Sequence, residues 1–284
     1  MIKCIATDMD GTLLNAMQTI SEENKQAILK AQAAGVEVVV ATGRAYQEAT
    51  YVLDEAELSC PVICVNGAEV RARGGEIISA TPIDKAVARD VAAKLAEKDV
   101  YFEVYTDKGA FTVDTDKAVS IMVDIVLTAN PEADREEVQY AAGARLRDNL
   151  IHPVDGYDVL FDSDEYTILK FLAFSFDEEK LAAAQKSLTG FTELTVTKSG
   201  EENIEITHKD AQKGIALEAF ANANGIGLDE TMAIGDNFND VSMFEKVGRA
   251  VAMGNASPVI KSMCDMVTDT NENSGVAKAI LEVL

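Results

Sequence analysis

Two aspartates separated by one residue follow the first apolar segment of the chain. Residues 2–7 have the length and content of a buried strand, and Asp8 and Asp10 come directly after them. In extended chain, residues two apart point to the same side, so both carboxylates should converge where the strand ends. Two like charges held this close are costly unless a cation or a proton separates them. The pattern therefore favours a metal site, an acid/base role, or both.

Two other structures could produce the same pattern. Asp and Gly are common turn residues, so the segment Asp8-Met9-Asp10-Gly11 could be a solvated turn. A calcium-binding loop would need Gly at its sixth position and an acidic residue at its twelfth. Counting from Asp8, those positions hold Leu13 and Thr19, which excludes such a loop. The apolar strand before Asp8 and three later segments favour chemistry over a solvated turn.

Composition limits the class of protein. The chain has 284 residues, of which 48% are hydrophobic and 26% charged, so we expect a globular protein of two domains. No segment reaches the roughly 20 consecutive apolar residues of a membrane span, and no export signal is visible, which predicts a cytoplasmic protein without a membrane partner. The formal net charge of −23 at pH 7 argues against nucleic acid as a partner. An anionic substrate would therefore need local positive charge.

The cysteines and histidines offer little for catalysis. The four cysteines lie mostly in or beside apolar segments. Buried reduced thiols explain them better than metal ligands, because Cys60 and Cys64 have no second pair to accompany them. The two histidines, His152 and His208, are far apart in sequence. A Ser-His-Asp or Cys-His mechanism therefore has little to build on.

The two ends of the chain have the pattern of one α/β domain. Apolar strands alternate with helices over residues 1–82, and the same alternation returns over residues 209–284. Ser21 is placed to cap the first helix and Gly35 to end it. Such alternation implies right-handed crossovers and a parallel sheet. We therefore predict a doubly wound, Rossmann-like α/β core formed by both ends of the chain.

The middle of the chain, residues 83–208, follows a different pattern. A predicted helix over residues 83–98 precedes strands that are mixed with further helices. Helices combined with hairpin-like strand pairs suggest an α+β domain with an antiparallel sheet. We predict that this region is a domain inserted into the core. Its predicted strands are residues 101–106, 110–113, 167–174, 194–198 and 204–207.

Four polar segments fall at the carboxyl ends of predicted core strands or at a helix start. Ligands of open α/β sheets bind at that edge. Carboxylates clustered after an apolar strand also need a partner group. Each segment alone is a weak signal, and the four together are a strong one. They are Asp8/Asp10, Thr42-Gly43-Arg44, Lys213, and Gly235-Asp236-Asn237-Phe238-Asn239-Asp240.

With these motifs in this order, the chain resembles a phosphatase of the haloacid dehalogenase (HAD) superfamily. It is most similar to the Cof-type group, which carries a large α/β cap between the second and third motifs. The motif Asp-x-Asp-Gly-Thr-Leu begins at Asp8, and the motif Gly-Asp-x-x-Asn-Asp begins at Gly235. The resemblance covers essentially the whole chain. One departure is Gln212 before Lys213, where a small polar residue is expected.

The resemblance implies a HAD core with an inserted cap domain that sets substrate specificity, and it implies a role for each motif. Asp8 would attack phosphorus and form an aspartyl phosphate. Asp10 would protonate the leaving oxygen and then deprotonate the hydrolytic water. A Mg²⁺ ion would be held by Asp8, Asp236 and the backbone carbonyl of Asp10. Asp240 would orient Lys213 or a metal-bound water.

The implied substrate is a small phosphate ester, such as a sugar phosphate, flavin mononucleotide or pyridoxal phosphate. The loop over residues 198–203, with Ser199-Gly200, is the expected cap loop that reaches the site. We expect a monomer or a weak dimer. The groups expected to contact the phosphoryl oxygens are the Met9 and Gly43 amides, Thr42, Lys213 and Asn239, with Arg44, Asn66 and Gly67 as further candidates.

Two other functions share parts of this pattern. A phosphoacceptor signalling domain also places acidic residues and a lysine around Mg²⁺. Such a domain is compact, about 120 residues, and it would lack an acid at the position of Asp10 because it gains from a long-lived phosphoryl group. A phosphosugar mutase of the same fold is the nearer alternative. Its sequence would look almost the same, and product analysis would separate the two.

Overall fold

The computed structural model describes residues 1–130, 132–198 and 200–284. The chain divides into two compact units. The core unit combines Met1–Thr81 with Asp210–Leu284, and the cap unit comprises Pro82–Lys209. Each boundary lies one residue from the position expected from the sequence. The elements below are numbered along the whole chain.

The core unit is built on an eight-stranded sheet. Its strands are β1 (Cys4–Thr7), β2 (Glu37–Ala41), β3 (Val62–Cys64), β4 (Glu69–Arg71), β5 (Ile77–Ala80), β12 (Thr231–Gly235), β13 (Arg249–Ala252) and β14 (Met266–Val267). They lie in the order β14-β13-β12-β1-β2-β3-β4-β5. The strands from β14 to β3 are parallel, as predicted. The other edge of the sheet was not predicted: after a sharp turn that follows β3, β4 pairs antiparallel with β3, and β5 pairs antiparallel with β4.

Helices cover both faces of this sheet. Cys4 and Ala6 of β1 belong to one apolar cluster with residues of two helices, α9 (Lys213–Ala223) and α10 (Val241–Phe244). Strand side chains alternate between faces, so Ile5 points to the opposite face, where it is also fully buried. Ser21 caps the first helix by accepting the N–H of Asn24. The helices of the core unit are α1 (Glu22–Ala33), α2 (Tyr46–Glu55), α9 (Lys213–Ala223), α10 (Val241–Phe244), α11 (Pro258–Lys261) and α12 (Gly275–Val283).

The cap unit contains a six-stranded sheet. Its strands are β6 (Tyr101–Thr106), β7 (Gly109–Thr112), β8 (Ile151–Pro153), β9 (Ile168–Phe174), β10 (Leu194–Thr197) and β11 (Asn203–His208). They lie in the order β10-β11-β9-β6-β7-β8, and the neighbours from β10 to β7 are antiparallel. Strand β8 was not predicted, and it pairs parallel with β7 after a long helical connection.

The two faces of the cap sheet differ in polarity. One face packs against helices α3 and α8 through apolar residues such as Phe102 and Phe171. The alternate positions of the same strands carry the buried charged residues Glu103, Lys170 and Glu205. The helices of the cap unit are α3 (Lys85–Glu97), α4 (Thr115–Ala129), α5 (Arg135–Ala142), α6 (Ala144–Arg147), α7 (Asp158–Asp162) and α8 (Glu178–Ser187).

Two further features bear on the class of protein. Across residues 1–130, 132–198 and 200–284, no helix combines the length and apolar character needed to cross a membrane. The four cysteines all lie in the described residues and form no disulfide. Burial raises the pKa of the Cys60 thiol to about 12, so this thiol stays protonated and unreactive near neutral pH.

Candidate active site

Asp8 lies at the carboxyl end of β1, where the strand gives way to an irregular helical turn, Met9–Leu13. Its backbone N–H donates to the carbonyl of Ile234 in β12 at 2.9 Å, which fixes Asp8 against the neighbouring strand. Gly11 has a φ of +76°, and a Cβ there would lie 2.6 Å from Oδ2 of Asp236. The motif therefore needs glycine at this position so that the turn can approach Asp236 closely.

Lys213 is the first residue of α9, as expected from the sequence, and it is fully buried. Its Nζ donates to Oδ1 of Asp8 at 2.6 Å and to Oδ1 of Asp240 at 2.7 Å. Burial by itself would lower the pKa of this ammonium, but the two carboxylates more than offset burial and raise the pKa. Lys213 is therefore charged and joins the segments that follow β1 and β12.

Asp240 is fully buried, and both of its carboxylate oxygens accept hydrogen bonds. Oδ1 accepts from Lys213, and Oδ2 accepts from the backbone N–H groups of Asp236 and Asn237 at 3.0 and 3.1 Å. These contacts fix the short helical turn Phe238–Asp240 against the end of β12. Asp240 thereby orients Lys213 and the backbone of Asp236.

Thr12 makes a contact that the sequence analysis did not identify. It is fully buried, and its Oγ1 donates to Oδ1 of Asp236 at 2.8 Å. Burial raises the pKa of Asp236, and the hydrogen bond from Thr12 offsets part of that effect by favouring the charged form. The position of Thr12 inside the first motif is the signal that could have identified it.

Three carboxylates meet one lysine at this edge of the described core sheet. Burial raises the pKa of Asp8 well above its ordinary value, and Lys213 offsets only part of that effect. Carboxylate oxygens of Asp8, Asp236 and Asp240 lie within 4.8 Å of one another. Oxygen ligands at this spacing suit a hard divalent cation, which would favour the charged form of each carboxylate. The donor set therefore fits the Mg²⁺ expected from the sequence.

Asp10 lies in a more exposed environment than Asp8, with a side chain that is 50% exposed. Its carboxylate accepts from Nε and Nη2 of Arg44 at 2.9 and 2.5 Å, and the same Nη2 donates to Oε1 of Gln18. The Asp10 carboxylate is not one of the three grouped carboxylates, so a metal contact by Asp10 would use its backbone carbonyl. Arg44, a candidate phosphate ligand from the sequence, contacts the carboxylate of Asp10.

Thr42 and Gly43 follow β2, which pairs with β1, so they lie beside Asp8 and Met9 at the same edge. Thr42 is fully buried, and its Oγ1 accepts the backbone N–H of Arg44 at 3.1 Å. Met9 directs a fully buried side chain into the core unit, which leaves its backbone in the turn after β1. The structure therefore brings these three candidates to the edge that carries Asp8.

A sharp turn, Val65–Gly67, follows β3. Oδ1 of Asn66 accepts from Nδ2 of Asn239 at 3.1 Å. A Cβ on Gly67 would lie 2.4 Å from the carbonyl oxygen of Gln212, the residue before Lys213. The turn thus contacts two other motif segments, and Asn66, Gly67 and Asn239 all lie in this part of the core unit.

The cap loop that the sequence analysis singled out connects two antiparallel strands of the cap unit. Residues 198–202 join β10 to β11, whose pairing is antiparallel. Ser199 lies outside the described residues. The role of this loop stays a prediction.

A model of one protein family matches nearly the whole chain. That family is described as haloacid dehalogenase-like hydrolase, and the match spans residues 5–280. The chain belongs to this family. The resemblance inferred from the motifs is therefore confirmed.

Three curated relatives of this HAD enzyme come from Bacillus subtilis (strain 168). Phosphatase YwpJ is 38% identical over 285 residues, which cover 100% of both chains. The 5-amino-6-(5-phospho-D-ribitylamino)uracil phosphatase YwtE is 38% identical over 284 residues, covering 100% of this chain and 98% of the relative. YcsE, which is also named a 5-amino-6-(5-phospho-D-ribitylamino)uracil phosphatase, is 30% identical. The alignment covers 98% of this chain and 94% of YcsE. The enzyme class expected from the sequence, a phosphoric monoester hydrolase, is confirmed.

A solved structure supports the same assignment at the level of the fold. A haloacid dehalogenase-like hydrolase from B. subtilis superposes with a TM-score of 0.86 at 38% identity, and the alignment covers 100% of both chains. The predicted α/β fold class, a Rossmann-like HAD core with an inserted cap, is therefore confirmed.

Proposed function

We propose that this HAD phosphatase is Mg²⁺-dependent and hydrolyses a small phosphorylated metabolite through a covalent intermediate on Asp8. The observation that carries the proposal is the grouping of half-buried Asp236 with buried Asp8 and Asp240, both of which Lys213 contacts. Asp8 and Asp236 would hold the metal together with the backbone carbonyl of Asp10. When bound, Mg²⁺ would supply positive charge that stabilises the phosphoryl group.

Asp8 is well placed to act as the nucleophile. Lys213 holds one of its oxygens, so the carboxylate has a defined orientation at the strand end. An oxygen of Asp8 would bond to phosphorus as the ester oxygen departs, and water would then release inorganic phosphate. Asp10 would give the departing oxygen a proton and later take one from the water.

The phosphoryl oxygens would be held by groups from the ends of three neighbouring strands and from the start of α9. The donors are backbone N–H groups, a hydroxyl, an ammonium and an amide, which together spread positive charge around an anion. Lys213 would serve both Asp8 and the phosphoryl group. The proposed donors are the Met9 and Gly43 amides, Thr42, Lys213 and Asn239.

The metal requirement is tested with an aryl phosphate, because the grouped carboxylates belong to the core unit alone. Activity should disappear after metal stripping with a chelator and return with Mg²⁺. Ca²⁺ should restore little, since its looser coordination could let Asp8 bind with both oxygens and lose its attacking geometry. Full activity of the stripped enzyme in chelator would contradict the proposal.

A matched pair of variants connects this requirement to the grouped carboxylates. Asp236→Asn should raise the Mg²⁺ concentration for half-maximal activity by about 10-fold or more, because it removes one charged ligand. Asp90→Asn, at an exposed aspartate of α3, should leave it unchanged. Equal effects of the two substitutions would show that overall charge, and not the site, determines the response.

The first substrate to test is 5-amino-6-(5-phospho-D-ribitylamino)uracil. Two relatives that align along nearly their whole length carry this compound in their names. If it is the substrate, its kcat/KM should exceed that of sugar phosphates, flavin mononucleotide and pyridoxal phosphate by about 10-fold or more. A higher value for another compound would contradict this choice. Release of inorganic phosphate in every turnover would separate the enzyme from a phosphosugar mutase.

We also propose that the cap unit sets substrate choice and that the loop over residues 198–203 contributes to it. Lys198 lies at the exposed start of this loop. Lys198→Ala should change kcat/KM between metabolites more than it changes turnover of a small aryl phosphate. If kcat/KM for the metabolites and turnover of the aryl phosphate fall equally, the loop has a structural role only.

A further inference from the structure

The turn Val65–Gly67 has an unusual backbone. Its three residues have φ values of 50°, 55° and 101°. Gly and Asn adopt this region readily, whereas a β-branched residue such as Val65 does so at an energetic cost. Strain of this kind persists only where the surroundings hold it, and it concentrates at functional sites. The turn therefore calls for an explanation in terms of what its side chains contact.

Two backbone hydrogen bonds hold the turn against the loop that follows β2. The N–H of Val65 donates to the carbonyl of Arg44 at 2.9 Å, and the N–H of Asn66 donates to the carbonyl of Thr42 at 2.9 Å. As a result Asn66 lies beside Gly43, where an added Cβ would be 3.2 Å from Oδ1 of Asn66. The strained backbone thus places the amide of Asn66 at the edge that carries the phosphate candidates.

The side chain of Asn66 accepts a hydrogen bond from a second amide. Nδ2 of Asn239 donates to Oδ1 of Asn66 at 3.1 Å. Asn239 belongs to the turn Phe238–Asp240, which Asp240 ties to Lys213. A side-chain amide has a donor end and an acceptor end. Because Asn66 presents an oxygen, the donor end of Asn239 must face it, and the second N–H of that group is left for an anion.

We propose that Asn66 is a positioning residue that acts through Asn239. It holds the N–H end of the Asn239 amide, and not its carbonyl, toward the phosphoryl oxygens. This inference rests on the proposed function, since Asn239 has this role only if the phosphoryl group binds at this edge. Asn66 itself then does not contact phosphate, in contrast to its place among the phosphate candidates from the sequence.

The test is a double-mutant cycle on anion affinity, with orthovanadate and inorganic phosphate as inhibitors of aryl phosphate hydrolysis. Asn66→Gly removes the acceptor and still tolerates the positive φ of this position. It should weaken inhibition about 10-fold, as should Asn239→Ala. Asn66→Gly releases the Asn239 amide and Asn239→Ala removes it, so each variant loses the same hydrogen bond from Asn239 to the charged anion. The double variant should be no weaker than Asn239→Ala alone, since Asn66 acts through the same amide.

Asn66→Asp is a second test variant. Aspartate keeps a hydrogen-bond acceptor at this position and also tolerates the positive φ. In the Asn66→Asp background, Asn239→Ala should still cost about 10-fold in vanadate affinity, whereas in the Asn66→Gly background it should cost nothing. A residue that only supports the turn would give no such difference, and its loss would appear in the unfolding temperature instead.

Additive losses in the double variant would overturn the inference, because they would mean that Asn66 contacts the anion independently. Unchanged inhibition in Asn66→Gly would overturn it as well. Failure of the proposed function has a separate signature, since Asp8→Asn would then retain turnover whatever the result at Asn66.

Discussion

Buried charge is balanced differently in the core unit and in the cap unit. At the edge of the core sheet, Lys213 contacts the carboxylates of Asp8 and Asp240, and Asp236 lies within the same group. In the cap unit, fully buried Glu103 accepts from the guanidinium of Arg145 through both oxygens, at 3.0 and 3.1 Å. The core cluster groups three carboxylates with one lysine, whereas in the cap the carboxylate of Glu103 has a guanidinium bonded to both of its oxygens.

This difference is the one expected if the core cluster is a cation site and the cap pair is structural support. Taking charges out of water is costly unless good geometry and further hydrogen bonds compensate. Glu103 meets that condition within the cap, because the hydroxyls of Tyr101 and Tyr105 also donate to it at 3.3 and 3.4 Å. The core carboxylates do not meet it with Lys213 alone. A bound cation would complete the core cluster, and the cap pair requires none.

Removing the cation from each cluster should therefore have very different effects on catalysis. Lys213→Met should lower kcat/KM for an aryl phosphate by about 10²–10³-fold, because it removes a charge that orients Asp8 and stabilises the transition state. Arg145→Met should change this value by less than about 3-fold, since a small aryl substrate tests the core chemistry. Similar losses in the two variants would contradict the distinction between the clusters.

The same two variants should differ in how Mg²⁺ affects their stability. Without metal, Lys213→Met should lose about 3–5 kcal/mol of unfolding free energy, because it leaves buried carboxylates without their cation. Arg145→Met should lose about 1–3 kcal/mol, since two tyrosine hydroxyls still serve Glu103. In denaturant titrations, Mg²⁺ should reduce the stability difference between Lys213→Met and the wild type. It should leave the difference between Arg145→Met and the wild type unchanged. Failure of Mg²⁺ to stabilise the wild-type protein and Arg145→Met, both of which keep the core cluster intact, would contradict a metal site in that cluster.

Arg44 should affect catalysis through Asp10, and the leaving group should reveal this. Arg44→Gln removes the two guanidinium hydrogen bonds to the Asp10 carboxylate. We expect kcat/KM to fall about 10-fold for an alkyl phosphate, which needs a proton donor, and little for 4-nitrophenyl phosphate, which does not. Arg73→Gln, which breaks an exposed pair with Glu37, is the matched control. Equal losses with both substrates would instead favour Arg44 as a phosphate ligand.

A smaller effect is expected at Thr12. Thr12→Val keeps the shape of the side chain but removes the hydrogen bond to Asp236. The Mg²⁺ concentration for half-maximal activity should rise about 2- to 10-fold, in line with the loss of one hydrogen bond. Thr50→Val, whose hydroxyl bonds to a carbonyl within α2, should leave it unchanged. No change in Thr12→Val would show that this contact does not support the metal site.

The positions of the proposed catalytic residues in the core were predictable because the signals for them are local. A short apolar strand predicted where Asp8 would lie, and a helix start predicted the position of Lys213. A parallel sheet then brings strand ends to one edge whatever the details of side-chain packing.

The contacts that orient those residues were not predictable because they join distant parts of the chain. Thr12 and Asp236 are separated by 224 residues, and Asn66 and Asn239 by 173. No periodic pattern marks such pairs. Strands β4, β5 and β8 were missed for a related reason. They are only three or four residues long, which is too short to show a periodic pattern in the sequence.

The central claim is that Asp8 carries the phosphoryl group and that Asp10 completes its removal. Asp10→Asn keeps the backbone carbonyl and removes the acid/base group, so steady-state turnover should fall by about 10²–10⁴-fold. With 4-nitrophenyl phosphate, the first step needs no proton donor, and the intermediate should accumulate. Mass spectrometry of the rapidly quenched variant should then find one added phosphoryl group on the peptide that contains Asp8. Wild-type turnover in Asp10→Asn, or a phosphoryl group on another residue, would contradict the account.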